Sequence, residues 1–165
     1  MATPKDRVDA PGGEDGTGPP GFGKGVNDYL NHHVTLADAK AGAILAGSLA
    51  LGGGLLNHVP ASDPYRLFAV SLALLAISAA VCAFVVFPRL PSGGRGLIFW
   101  EDIRSRTTPE SYAAEVARLE PGAVESEYAL QNWYVSQVLH DKHRFIRWAI
   151  RAFVVGVILA GLSFL

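Results

Sequence analysis

The sequence predicts an all-α membrane protein: three transmembrane helices with a helical cytoplasmic insertion between the second and the third. Three observations predict it. Half of the 165 residues are hydrophobic and only 18% are charged, where a soluble domain carries roughly 25%. The apolar residues are gathered into three blocks. The stretches between and before those blocks keep helical spacing and carry helix-start signals. Net charge is -1, so there is no global basic field, and a nucleic acid polymer is not expected as a partner. The single cysteine, Cys82, lies inside an apolar run, forms no intrachain disulfide and reads as a small buried apolar residue.

Residues 1–25 are rich in Gly, Pro, Asp and Glu and nearly devoid of large apolar side chains. Such a stretch buries too little surface to offset chain entropy, and it is expected to be a disordered tail. It also lacks the apolar core of a cleavable signal peptide. The remainder, 26–165, reads as one membrane domain.

The first apolar block, Ala41 to Leu56, is short of the roughly 20 residues that a bilayer core demands. Extended to about 39–59 it suffices, with Lys40 snorkelling toward the headgroups. The second, 67–87, is uncharged and spans without help. The third, 148–165, contains Arg151 near its start, which is tolerable only at the interface. A buried helix of a soluble core is the alternative for the first and third blocks, but so short a chain has too little material to cover three of them.

Lys5, Arg7, Lys24 and Lys40 precede the first span, and Arg89, Arg95, Arg104, Arg106, Arg118, Lys142, Arg144 and Arg147 lie between the second and third. Arg66 is the only strong cation between the first and second. The positive-inside rule therefore places the N-terminus in the cytoplasm and the C-terminus outside.

The insertion, about 88–147, opens with Pro88-Arg89 and Leu90 to Gly94, which stop the second helix. An apolar-aromatic element follows, Gly96 to Ile103. Thr107 or Thr108 before Pro109-Glu110 marks a helix start, and Ser111 to Leu119 is expected to be helical, with Pro121-Gly122 ending it. From about Val124 no breaker occurs, and Tyr128, Gln131, Val135, Val138, Lys142 and Phe145 fall near one stripe. The third span is thus expected to project well out of the bilayer. Tyr29, Leu30, His33, Val34, Ala37 and Ala41 predict the same for the first.

Small residues recur every fourth position at Ala46, Ala50 and Gly54 and at Ala152, Gly156 and Ala160, a spacing that serves packing within one chain or oligomerisation equally. Asp38 and Lys40 sit near the expected depth of Lys142 and Arg144. An Asp38 paired with Lys142 or Arg144 would lock the first and third helices together, separate solvation of each charge being the alternative. Phe99 and Trp100 lie among Arg95, Arg104 and Arg106. Aromatic faces stack bases and arginines hold phosphates, but an interfacial aromatic belt has the same composition. His140 and His143 stand at a spacing usable for a metal, without a third ligand, so no metal site is expected. No Gly-rich phosphate loop, serine elbow or paired carboxylates are present. The expected protein is not an enzyme and has no cofactor.

Several short segments, in order, carry a resemblance: Asp38-Ala39-Lys40-Ala41 entering the first span, Phe87-Pro88-Arg89 leaving the second, and Leu97-Ile98-Phe99-Trp100-Glu101-Asp102-Ile103. Tyr112 and the run Gln137 to Lys142 complete it. In these the chain, from about residue 27 to its end, resembles the transmembrane effectors of Pycsar, the bacterial pyrimidine cyclase antiphage system. The resemblance implies an inner-membrane effector activated by cyclic CMP or cyclic UMP from a partner cyclase, acting by impairing membrane integrity in abortive infection. The expected partners are then the lipid bilayer, the nucleotide and further copies of the chain. No strand-rich segment offers the on the order of a hundred residues of a cyclic-nucleotide-binding β-barrel. The implied ligand would fall to the insertion, with Arg89, Arg95, Phe99, Trp100, Asp102 and Arg104 as candidates. The alternative is a membrane-anchored adaptor whose cytoplasmic helices recruit a partner without any ligand. A transporter component is weaker, since no span carries an ionisable residue near its centre.

Overall fold

The computed structural model describes residues 19–59, 65–87 and 96–165. Among them run five helices and no strand: α1 (Phe22–Leu56), α2 (Tyr65–Val86), α3 (Trp100–Arg104), α4 (Pro109–Val116) and α5 (Pro121–Leu162). The all-α class with three helices long and apolar enough to cross a membrane, α1, α2 and α5, is as the sequence predicts.

The 22 residues of α2 rise about 33 Å, which matches the thickness of a hydrocarbon core. The 35 residues of α1 and the 42 of α5 reach about 52 Å and about 63 Å. Both therefore run on past one end of α2 as a two-helix stalk, the projection that their periodicity predicts.

Two boundaries differ from expectation. Helix α1 begins at Phe22, inside the stretch read as a disordered tail, because α5 supplies its cap. The Glu125 carboxylate accepts hydrogen bonds from the Gly21 amide at 2.8 Å and the Gly23 amide at 2.9 Å. Negative charge on free first-turn amides is favourable twice over, through hydrogen bonding and through the helix dipole. Gly23 is required there: a Cβ would stand 2.6 Å from Glu125 Oε2 and 2.7 Å from Tyr128 Cβ. Residues 1–18 of that tail lie outside the described residues. The second difference is Pro121, which opens α5 instead of closing α4. Proline lacks the N–H that a first turn leaves unpaired, so it suits that position. Helix α4 ends at Val116, and its start is the expected one, with Thr108 Oγ1 accepting from the Ser111 amide at 3.2 Å. The breakers proposed after α2, Pro88 to Gly94, lie outside the described residues.

The register of the bundle is visible in its polar contacts. Ser71 Oγ donates to Gly156 O at 2.8 Å, Ser78 Oγ to Ala149 O at 3.0 Å, and Lys142 Nζ to Val85 O at 3.0 Å. Each step is seven residues up α2 and seven down α5, so the two helices pack antiparallel in a heptad register. Ser48 Oγ donates to Ser78 Oγ at 3.2 Å, which draws α1 onto the same layer. Helix α1 lies parallel to α5: Asn27 meets Asn132, and further along Asp38 meets Lys142. Every buried hydroxyl in this core finds an acceptor, as an interior without water requires.

Apolar packing fills the space between these layers. Ala37, Ala41, Cys82, Val85, Ile146 and Ala149 form one cluster, and Leu55, Phe68 and Leu75 a second. Gly156 is buried against α2, where it permits the close approach that its own carbonyl needs to receive Ser71. Ala46, Ala50 and Gly54, the other small-residue stripe, face outward from the bundle. Arg151 lies over the Trp148 ring, 5.0 Å from its centroid, on the outer face of α5. In Gly156→Val even the first added carbon would sit 3.2 Å from Leu75 Cγ and 3.3 Å from Leu74 Cβ. The variant is expected to lose about 1–3 kcal/mol, measured as a lower thermal midpoint of the detergent-solubilised protein.

Candidate functional site

Where α2 ends, one ammonium group ties three helices together. Lys142 of α5 donates to Asp38 Oδ1 of α1 and to Val85 O in the last turn of α2. The carbonyls of a terminal turn lack intrahelical partners, so Lys142 caps α2 from outside as well as pairing with Asp38. Its side chain is 6% exposed against 34% for Asp38, so the charge is held inside the apolar cluster while its partner reaches the edge. Lys40 is exposed on α1. Arg144 turns to its own helix, 3.8 Å from Asp141 and over the Phe145 ring. Of the four charges expected to lock helices, Asp38 and Lys142 meet, while Lys40 and Arg144 do not join them.

Beyond this node the stalk changes chemistry. Asn132 Nδ2 donates to Gly23 O at 2.9 Å, Asn27 Nδ2 to Asn132 Oδ1 at 2.9 Å, and Asn31 Nδ2 to Asn27 Oδ1 at 2.8 Å. Carboxamides thus hold α1 to α5 here, where serines and glycine hold the membrane-spanning part.

The insertion folds back against this stalk. Glu127 Oε2 on α5 accepts from the Leu97 amide at 3.0 Å, and Tyr112 Oη of α4 donates to Leu97 O at 2.9 Å. Arg106 donates to Glu115 Oε2 at 2.9 Å and to Asp102 O at 2.8 Å, which joins α3 to α4. Leu97 is thereby gripped at both of its backbone polar groups, and the next three residues are laid across the two stalk helices. They border an open cavity of about 310 Å³ lined by Asn27, Asn31 and Val34 of α1, Gln131, Val135 and Val138 of α5, and Ile98, Phe99 and Trp100. The Phe99 and Trp100 rings stand 5.9 Å apart with planes inclined at 50°.

Of the six candidate ligand residues, the structure brings Phe99 and Trp100 into this cavity. Asp102 is turned to the Gly96 amide, which donates to its Oδ2 at 3.1 Å. The Arg104 side chain is 77% exposed and 3.5 Å from Glu101. Neither lines the cavity. Both side chains thus take partners within their own segment instead of facing the cavity that Trp100 lines. Arg89 and Arg95 lie outside the described residues. Residue-by-residue reading missed Asn27 and Asn31, whose signal was a pair of amides at helical spacing on the face that Val34 and Ala37 continue. His143 Nδ1 lies 3.0 Å from Leu139 O, and among the described residues no three His, Cys, Asp or Glu side chains gather to hold a metal.

The sequence of this chain has known relatives. The model of the Pycsar effector protein domain matches residues 23–165. The chain belongs to the Pycsar effector family. The Pycsar effector protein SaPycTM of Staphylococcus aureus is 27% identical over 138 residues, covering 79% of this chain and 82% of that protein. No solved structure matches. This Pycsar effector is therefore a membrane protein of antiphage defence, and the match begins one residue into α1, taking in the stalk, the node and every span.

Asp38→Asn leaves the Lys142 charge buried without its counter-ion. The expected cost is about 3 kcal/mol, the low end for a broken buried pair because Asp38 is partly exposed, read as a lower thermal midpoint in detergent. Adding Lys142→Met removes the orphaned charge, and the double variant should melt above Asp38→Asn alone. Equal midpoints would mean that the pair does not hold the helices.

Proposed function

We propose that this Pycsar effector is switched on by cyclic CMP or cyclic UMP made by a partner cyclase, and that the activated protein impairs the integrity of the inner membrane. The observation that carries the reading is continuity. The same two helices that form the walls of the 310 Å³ cavity run without a break into the membrane-spanning bundle. Anything that moves α1 relative to α5 in the stalk acts on the spans directly.

The stalk end is assigned to the cytoplasm, where a messenger would be made, and the C-terminus to the outside. The charge distribution supports this. Lys24, Lys40, Lys142, Arg144 and Arg147 are grouped at the stalk end, against Arg66 at the other. In the resting state the Asp38–Lys142–Val85 node keeps the three helices in one arrangement. A ligand shifts that arrangement only by the difference between its affinities for the two states, and a cavity with walls on α1, α5 and the insertion makes its fit depend on their spacing. The outward stripe of Ala46, Ala50 and Gly54 offers further copies of the chain a close contact within the bilayer. Repacking there would open a leak.

The test is a liposome experiment on the full chain. Vesicles bearing the protein are expected to release a trapped dye when cyclic CMP or cyclic UMP is added, and to retain it with cyclic AMP. Nucleotide bound in a calorimetric titration without any release would overturn membrane impairment. Absence of binding by either pyrimidine nucleotide would overturn the messenger and favour an adaptor that recruits a partner through its stalk.

A further inference from the structure

The cavity between the stalk helices and residues 98–100 has an ordered chemistry along its length. Asn27 and Asn31 lie one turn apart on α1 with Val34 next in line, and Gln131 on α5 is followed by Val135 and Val138. One end of the cavity is therefore lined by amides and the other by valines, with Phe99 and Trp100 along the third side. Among the described residues no charged side chain lines it.

The amides differ in what they have left to give. Asn27 spends its Nδ2 on Asn132 and its Oδ1 on Asn31. Asn31 spends its Nδ2 on Asn27, and its Oδ1 accepts nothing among the described residues. Gln131 is half-buried, and its carboxamide makes no hydrogen bond there. A partly buried amide that leaves a donor and an acceptor unused carries a desolvation cost that a ligand relieves. What fits an adjacent donor and acceptor beside an aromatic face is a flat heteroaromatic ring with an adjacent acceptor and donor on its edge.

Resting on the messenger reading above, we infer that this cavity is the base-recognition site, with Gln131 pairing the edge of a pyrimidine ring that stacks against Phe99 and Trp100. With cytosine the Gln131 Nε2 donates to ring N3 and its Oε1 accepts from the exocyclic N4 amine. With uracil the same amide, turned over, accepts from N3–H and donates to O4. Asn31 Oδ1 supplies one further acceptor beside it. Aromatic rings stack any base, so edge pairing is what selects among them. Among the described residues the lining offers the cyclic phosphodiester no charge, and the base is the part that it recognises. Occupancy links α1, α5 and the insertion through one ligand, which is how binding would alter the spacing of the two long helices.

The test compares Gln131→Leu with Gln137→Leu, the same change on an exposed face of α5 outside the cavity. Full-length protein in detergent is titrated calorimetrically with cyclic CMP and with cyclic UMP, and each variant is melted without ligand. Loss of one bidentate pair predicts binding weaker by about tenfold or more for Q131L, with Q137L binding as wild type does. Without ligand, Q131L is expected to melt no lower than wild type, since it removes an unpaired amide from a partly buried position. Wild-type affinity in Q131L would overturn the site while leaving the messenger intact. A Q131L protein that melts lower would overturn it too, because the amide would then hold the fold and not the ligand. If wild type binds neither nucleotide, the messenger reading fails and takes this site with it.

Discussion

A buried ammonium must be neutralised and hydrogen-bonded, and meeting that demand organises this molecule. Lys142 is almost inaccessible, and it donates to a carboxylate from α1 and to a terminal carbonyl from α2. Uncompensated, a charge at such a place is strongly unfavourable, so no helix of the three can slide or rotate there alone. The rest of the register follows from that point. Seven and fourteen residues along α5, Ala149 and Gly156 present carbonyls to Ser78 and Ser71. In the other direction Asn132 meets Asn27 and Gly23.

The node also separates two kinds of helix pairing within the same two helices. On the α2 side contacts are made by small residues, hydroxyls and methyl groups, which serve where water is absent and backbones must approach closely. On the stalk side they are made by carboxamides and by Glu125 and Glu127, which accept amides from the start of α1 and from Leu97. Those groups pair well in the presence of water. A cavity with polar walls can therefore exist in the stalk and not in the spans. Helices α1 and α5 are each continuous from the stalk into the spans.

Much of this was legible from periodicity. Three apolar blocks, the outward reach of the first and third helices, and a start of α4 at Thr107 or Thr108 all follow from spacing and capping chemistry. Similar depth on the two helices made Lys142 or Arg144 a candidate partner for Asp38, with separate solvation as the alternative, and only the packed structure pairs Asp38 with Lys142. Pro121 was misread because a proline bounds a helix from either side, and only the free first-turn amides of α5 show which. The start of α1 was placed too late because its cap comes from Glu125, about a hundred residues away in sequence.

The sequence by itself determined which segments are helical and which of them are apolar enough for lipid. Those properties depend on neighbours within a turn or two, and the chain carries them wherever it folds. Only the tertiary structure decided which faces meet. It turned Ala46, Ala50 and Gly54 outward and Gly156 inward, committed Asp102 to Gly96, left Arg104 in solvent and set Phe99 and Trp100 opposite Gln131. The inward and outward stripes are chosen by how three helices pack around the Lys142 node, and the partners of Asp102 and Arg104 by which groups the fold of the insertion brings within reach.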